Sequence, residues 1–70
     1  MDYDKEKIIF IKYKNYKGEL NNREIVPIEI WYGSTKYHTS KQWLLKAYDL
    51  GKQDFRNFAL KDIENWNVGD

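Results

Sequence analysis

Seventy residues with a formal net charge of +1 allow one domain with a modest core, and that charge balance argues against strong nonspecific attraction to nucleic acid while leaving room for a local basic face. There is no Cys and only one His, His38, so disulfides and thiolate metal sites are ruled out, a lone imidazole makes no zinc site, and no cofactor is expected. Three Trp, six Tyr and three Phe supply the large side chains from which so short a chain must build its core.

Met1 to Lys7 alternates in charge and has no long apolar region, so it does not read as a signal peptide. The longest apolar run, Ile8 to Ile11, is too short to cross a bilayer, and no membrane partner is expected. A cysteine-free chain of this kind suits a reducing cytoplasm. The first predicted strand is Lys7 to Lys14, where Ile8-Ile9-Phe10-Ile11 is β-branched and aromatic and Tyr13 continues the odd-numbered face. Asn15-Tyr16-Lys17-Gly18 reads as a tight turn, with Gly18 free to take positive φ.

A second strand runs from about Leu20 to Tyr32, with Val26, Ile28, Ile30 and Tyr32 alternating against Pro27, Glu29 and Trp31. Pro27 cannot donate to a ladder, so it marks an edge, bulge or bend, and a strand bent there serves two sheets of a small barrel. Gly33 to Ser40 is polar and rich in Gly, Ser and Thr, hence a loop. The third strand is Gln42 to Tyr48, with Trp43, Leu45 and Ala47 on one face. Asp49-Leu50-Gly51-Lys52 closes a second hairpin, and the fourth strand is Asp54 to Ala59. Leu60, Ile63 and Trp66 or Val68 fall near helical spacing, which predicts a short terminal helix or 3₁₀ turn over the barrel's open end. The sum is a single all-β domain over residues 1–70, its core about 7–66, built as a small antiparallel barrel of four or five strands. The expected core is Trp43, Leu45, Ile9, Ile11, Val26, Ile28, Phe58 and Ile63.

Few segments suggest chemistry. Gly33-Ser34-Thr35-Lys36 lacks the second Gly and the following helix of a phosphate-binding loop. Ser34 and Ser40 need a paired base to act as nucleophiles; His38 is the one candidate, and no Asp or Glu in the loop orients it. No enzyme is expected. Lys12-Tyr13-Lys14-Asn15-Tyr16-Lys17 interleaves cations with aromatics, as single-strand binders do. Strand parity, however, puts Lys12 and Lys14 on one face and Tyr13 on the other, so a lysine-guarded edge strand is the favoured reading. Arg23 and Arg56 are the two arginines among twelve basic residues. The guanidinium fork suits bidentate contact with phosphate or carboxylate, while a surface pair with a carboxylate explains either residue equally simply.

Ile11-x-Tyr13, Gly18, Arg23-x-x-Val26-Pro27, Trp43-Leu44-Leu45-x-Ala47-x-Asp49 and Arg56-x-Phe58-x-Leu60-x-x-Ile63 together form a pattern that resembles the WYL domain, a small ligand-binding module of prokaryotic regulators. The likeness spans about residues 9 to 63 and departs from the family at Leu44, where the family has its eponymous Tyr. It implies an SH3-like or Sm-like barrel, and it places Arg56 and Arg23 where the family has its pocket arginines. It also makes His38 and Ser40 candidate ligand contacts, with Tyr13 and Trp43 nearby.

The resemblance implies a non-catalytic sensing module for an anionic small molecule, nucleotide-like, or a nucleic-acid strand. Family members usually follow a DNA-reading helix-turn-helix, for which these seventy residues have no room, so docking on a partner protein or self-association is expected instead. The alternative is a protein-interaction module, an adaptor or inhibitor of phage or other mobile-element type, acting through a strand edge or a Trp31-Tyr32 patch.

Overall fold

The computed structural model describes residues 7–68. They form β1 (Ile9–Lys14), β2 (Leu20–Gly33), β3 (Gln42–Asp49), β4 (Asp54–Ala59), a 3₁₀ turn (Leu60–Asp62) and β5 (Ile63–Val68). All strands pair antiparallel in one sheet of order β4-β3-β2-β1-β5. Local chemistry explains the first hairpin. Asn15 Oδ1 accepts the Lys17 and Glu19 N–H groups, each at 2.9 Å, and Gly18 turns at φ 81°, a conformation glycine adopts without steric cost. The terminal segment departs from its helical reading. Its helical part is confined to Leu60–Asp62, and residues 63 to 68 extend to pair with β1. No helix here is long and apolar enough to cross a membrane.

The sheet curls strongly. Tyr13 of β1 and Phe58 of β4 stand three strands apart in the order, yet their rings meet edge to face at 4.9 Å. The Tyr13 hydroxyl accepts the Ala59 N–H at 3.3 Å. Within the curl Ile11, Tyr13, Ile25, Leu45, Ala47 and Phe58 form the core, with Ile9, Leu60 and Ile63 packed against it. No ladder joins β4 to β5 among the described residues, so both remain edges.

Pro27 does mark an irregularity. The β2–β3 register runs Pro27 to Ala47 and then Glu29 to Lys46, which leaves Ile28 as an extra residue. One inserted residue sends every later side chain to the opposite face. Val26 therefore lies opposite Tyr48 on the outer face, whereas Ile30 and Tyr32 lie opposite Leu45 and Trp43 on the core face. The expected alternation through Val26, Ile28, Ile30 and Tyr32 is broken there. Ile28, expected in the core, is 45% exposed.

Trp43 is a second correction. It shares the face of Leu45 and Ala47 as expected but is 55% exposed. The reason is coverage: β1 pairs with β2 only as far as Ile25, so the far end of the β2–β3 ribbon overhangs the core, and Trp43 there packs edge to face on Tyr32 at 5.2 Å. Its neighbour Leu44 is fully buried on the outer face. Opposite Leu44, the Trp31 indole spans β3 and donates to Asn57 Oδ1 on β4 at 2.9 Å. A third correction concerns β1, which is not a guarded edge but an inner strand between β2 and β5.

Truncating Leu44 removes a fully buried side chain, so Leu44→Ala should cost about 2–5 kcal/mol. Trp43→Ala should cost less, roughly 1–2 kcal/mol, since it loses mainly a ring contact with Tyr32. Urea unfolding of the two variants measures the order, and a larger loss at Trp43 would show that it is covered in the core and not exposed at the overhang.

Candidate functional site

The loop between β2 and β3 is built on Thr35. Its Oγ1 accepts the Tyr37 and His38 N–H groups at 3.2 and 2.9 Å, and its own N–H donates to the His38 carbonyl at 2.9 Å. That turn projects Tyr37, which is 80% exposed, and folds His38 back so that Nε2 lies 3.2 Å from the Asn57 carbonyl. A carbonyl only accepts, so this contact requires the proton on Nε2.

A cavity of about 240 Å³ opens beside this loop and brings together three of the expected site residues, Tyr13, His38 and Ser40. Tyr16, Tyr37 and Lys61 complete much of its rim. Lys17 Nζ lies 5.8 Å from the centre of the Tyr16 ring and Lys36 Nζ 5.2 Å from that of Tyr37. Each exposed ring thus carries a cation at its face. Gln42, also in the wall, donates through Nε2 to the Ser40 carbonyl, and its buried Oε1 has no partner. The wall therefore offers two aromatic platforms with a lysine beside each, and both Lys61 and Asp62 at the rim. In the sequence Tyr16 stands only in the cation–aromatic run that strand parity discounts and Tyr37 in a polar loop, and only the fold brings the two turns together.

Burial raises the Tyr13 phenol above its ordinary value of 10.0; the hydrogen bond from Ala59 acts the other way, the Asp62 carboxylate adds to the rise, and Arg23 opposes it. Tyr13 thus serves the core with its ring, and its hydroxyl proton remains available to the cavity.

Arg23 lies elsewhere. It lines a second cavity of about 310 Å³ together with Phe10, Glu24, Asp49 and Lys52. Its Nη1 is 3.4 Å from Oδ2 of Asp49, which is 1% exposed and also accepts the Lys52 N–H at 3.1 Å. The carboxylates of Asp49 and Glu24 make this a poorer place for an anion. Arg23 is the counter-ion of a buried aspartate, the carboxylate pairing that its guanidinium also allowed. Arg56 and Trp43 line neither cavity. Arg56 is exposed on β4 opposite Ala47, and no described carboxylate pairs with it. The six expected residues thus fall in four places, with Arg56 on β4 and Trp43 at the end of the β2–β3 ribbon apart from both cavities and from each other. Nor do Trp31 and Tyr32 form one patch, because they face opposite sides of the ribbon. Among the described residues no three His, Asp or Glu side chains gather as metal ligands.

The family model of the WYL domain matches residues 3–68, nearly the whole chain. No curated protein matches it.

Removing the guanidinium strands Asp49, so Arg23→Ala should destabilise the fold by about 2–3 kcal/mol, below the full cost for a buried pair because Arg23 is part-exposed. Adding Asp49→Asn should recover much of that loss in a double-mutant cycle; additive losses would show that the two residues are not coupled. A native phenol pKa above that of the unfolded chain gives stability that is fully present below about pH 10 and is lost as the pH climbs through the native value. Stability of the wild type should therefore fall more steeply above pH 10 than that of Tyr13→Phe, as read by denaturant titration at successive pH values.

Proposed function

The chain belongs to the WYL domain family, and from that membership we propose that it is a non-catalytic sensing module for an anionic ligand bearing a planar base, either a nucleotide-like molecule or a nucleic-acid strand. WYL domains are commonly ligand-sensing regulatory modules. The observation that carries the finer reading is the cavity where Tyr13, His38 and Ser40 meet the lysine-flanked rings of Tyr16 and Tyr37. Exposed aromatics stack on any base, and lysines beside them neutralise phosphate. Lys61 adds positive charge to the rim. Asp62 in the same wall favours a ligand that presents its phosphate on the lysine side. Arg56, exposed and without an ion-pair partner among the described residues, is a separate candidate contact for the anion, outside the cavity. Leu44 lines neither cavity, so the Leu at the family's Tyr position acts here through packing.

Nucleotides, cyclic nucleotides and short single strands should be screened by thermal shift, because a ligand of the native state raises the melting temperature by mass action. Binding should weaken steeply with added salt. Tyr37→Ala should cost about 1–3 kcal/mol of affinity, the usual worth of one base–aromatic stack. Arg56→Ala, measured in parallel, reports the outer contact. Loss of binding with Arg56→Ala but none with Tyr37→Ala would move the site out of the cavity. No stabilisation by any of these probes would count against the anionic ligand itself.

A further inference from the structure

The two edges of the sheet are finished differently. Along β4, the Phe55 N–H donates to Asp54 Oδ1 at 2.8 Å, the Asn57 carbonyl meets His38 Nε2 at 3.2 Å, and the Ala59 N–H donates to the Tyr13 hydroxyl at 3.3 Å. These residues alternate along the strand, so side chains occupy backbone groups at each of its three positions on the side away from β3. A strand capped in this way is a poor template for another.

β5 carries no such cover. It is six residues long, Ile63-Glu64-Asn65-Trp66-Asn67-Val68, and no described residue pairs with its outer side. It holds one formal charge and no Pro, Gly or Lys, although the chain has ten lysines, the last of them Lys61. Its ladder with β1 skips Glu64 and is regular from Asn65 to Val68, and a regular stretch so poor in charge pairs readily with another strand. Trp66, opposite Ile11 in the register, is 46% exposed.

We propose that β5 is the seam of a homodimer, in which two copies pair edge to edge, antiparallel and centred on Trp66, to make one continuous sheet with five strands from each copy. The self-complementarity of the strand argues for a second copy. A two-fold axis normal to a sheet sets the central residue opposite its own copy, and the same side of the interface serves both subunits. Centred on Trp66, indole meets indole and Asn65 meets Asn67 with amide donors and acceptors matched, while Glu64 lies at the register shift, outside that regular pairing. Centring on Glu64 would set two carboxylates face to face. A strand with a single charge offers little to a strongly charged partner. Main-chain hydrogen bonds supply the affinity and Trp66 the register. The proposal is independent of the ligand reading, because β5 lines neither cavity.

Sedimentation equilibrium of the full chain should show a monomer–dimer equilibrium. Trp66→Lys and Trp66→Glu, at a half-exposed position, should stay folded by circular dichroism and be monomeric, because each sets like charges against each other at the axis. Mixing the two should restore a dimer at least about tenfold tighter than either variant alone, on the order of 1.4 kcal/mol. Hydrogen exchange of the wild type gives a reading that needs no variant: alternate β5 amides should become protected as concentration rises. A chain that stays monomeric through the high-micromolar range overturns the proposal. A dimer that both charge variants leave intact, with β5 amides unprotected, overturns it equally.

Discussion

The contact on which this structure most depends is the one between Tyr13 and the Phe58–Ala59 segment. A five-stranded sheet of single thickness has a core only if it curls far enough for its own strands to face one another. Tyr13 enforces that curl from β1, with its ring on Phe58 and its hydroxyl on the Ala59 N–H. The hydrophobic contact and the hydrogen bond act at the same point, so the bond is sheltered from water where it matters. Lying 8% exposed, Tyr13 also forms part of a cavity wall. Core packing and candidate site therefore share one side chain, and a change that loosens the curl also reshapes the cavity.

The second determinant is the extra residue at Ile28. Before it, β2 turns Ile25 into the core; after it, the core-side positions are Ile30 and Tyr32, beyond the reach of β1. The outer face of the same stretch gains a small apolar layer of its own, where Trp31 covers Leu44 and is tied to Asn57. Gly33 makes room for that cover, since a Cβ there would stand 2.5 Å from the indole. The overhanging ribbon holds the loop with Tyr37 and His38 beside the sheet, and so the cavity exists at all.

Much of this was legible in the sequence, because strand periodicity and turn chemistry are local. The extended runs of β1 to β4, the Gly18 turn and a disturbance at Pro27 follow from residue types alone. Register is not local. The placement of the extra residue at Ile28 depends on what β3 presents across the ladder, which put Ile28 and Trp43 in the core when they are largely exposed. Leu60, Ile63 and Trp66 recur every third residue, a spacing that suits a 3₁₀ or α turn; pairing with β1 overrode it for all but three residues. The site was legible in the same measure. Tyr13, His38 and Ser40 do converge, but Arg23 has its partner 26 positions away in Asp49, and nothing along the chain announces that pair.

The β1–β5 ladder joins Ile9 to Val68, across almost the full length of the chain. Within this domain β1 is made before the other strands and waits for its second neighbour, β5, until the rest of the sheet has been made. During that interval it is an edge strand, with Ile9 and Ile11 in need of cover and a bare row of backbone groups. Such late, long-range closure is slow, and it leaves the chain open to sticking to others. Lys12 and Lys14, which point to solvent from an inner strand of the finished fold, then have a purpose that the finished fold does not reveal. Lysines on an edge strand oppose pairing with other chains, so these two would act during the interval in which β1 is still an edge.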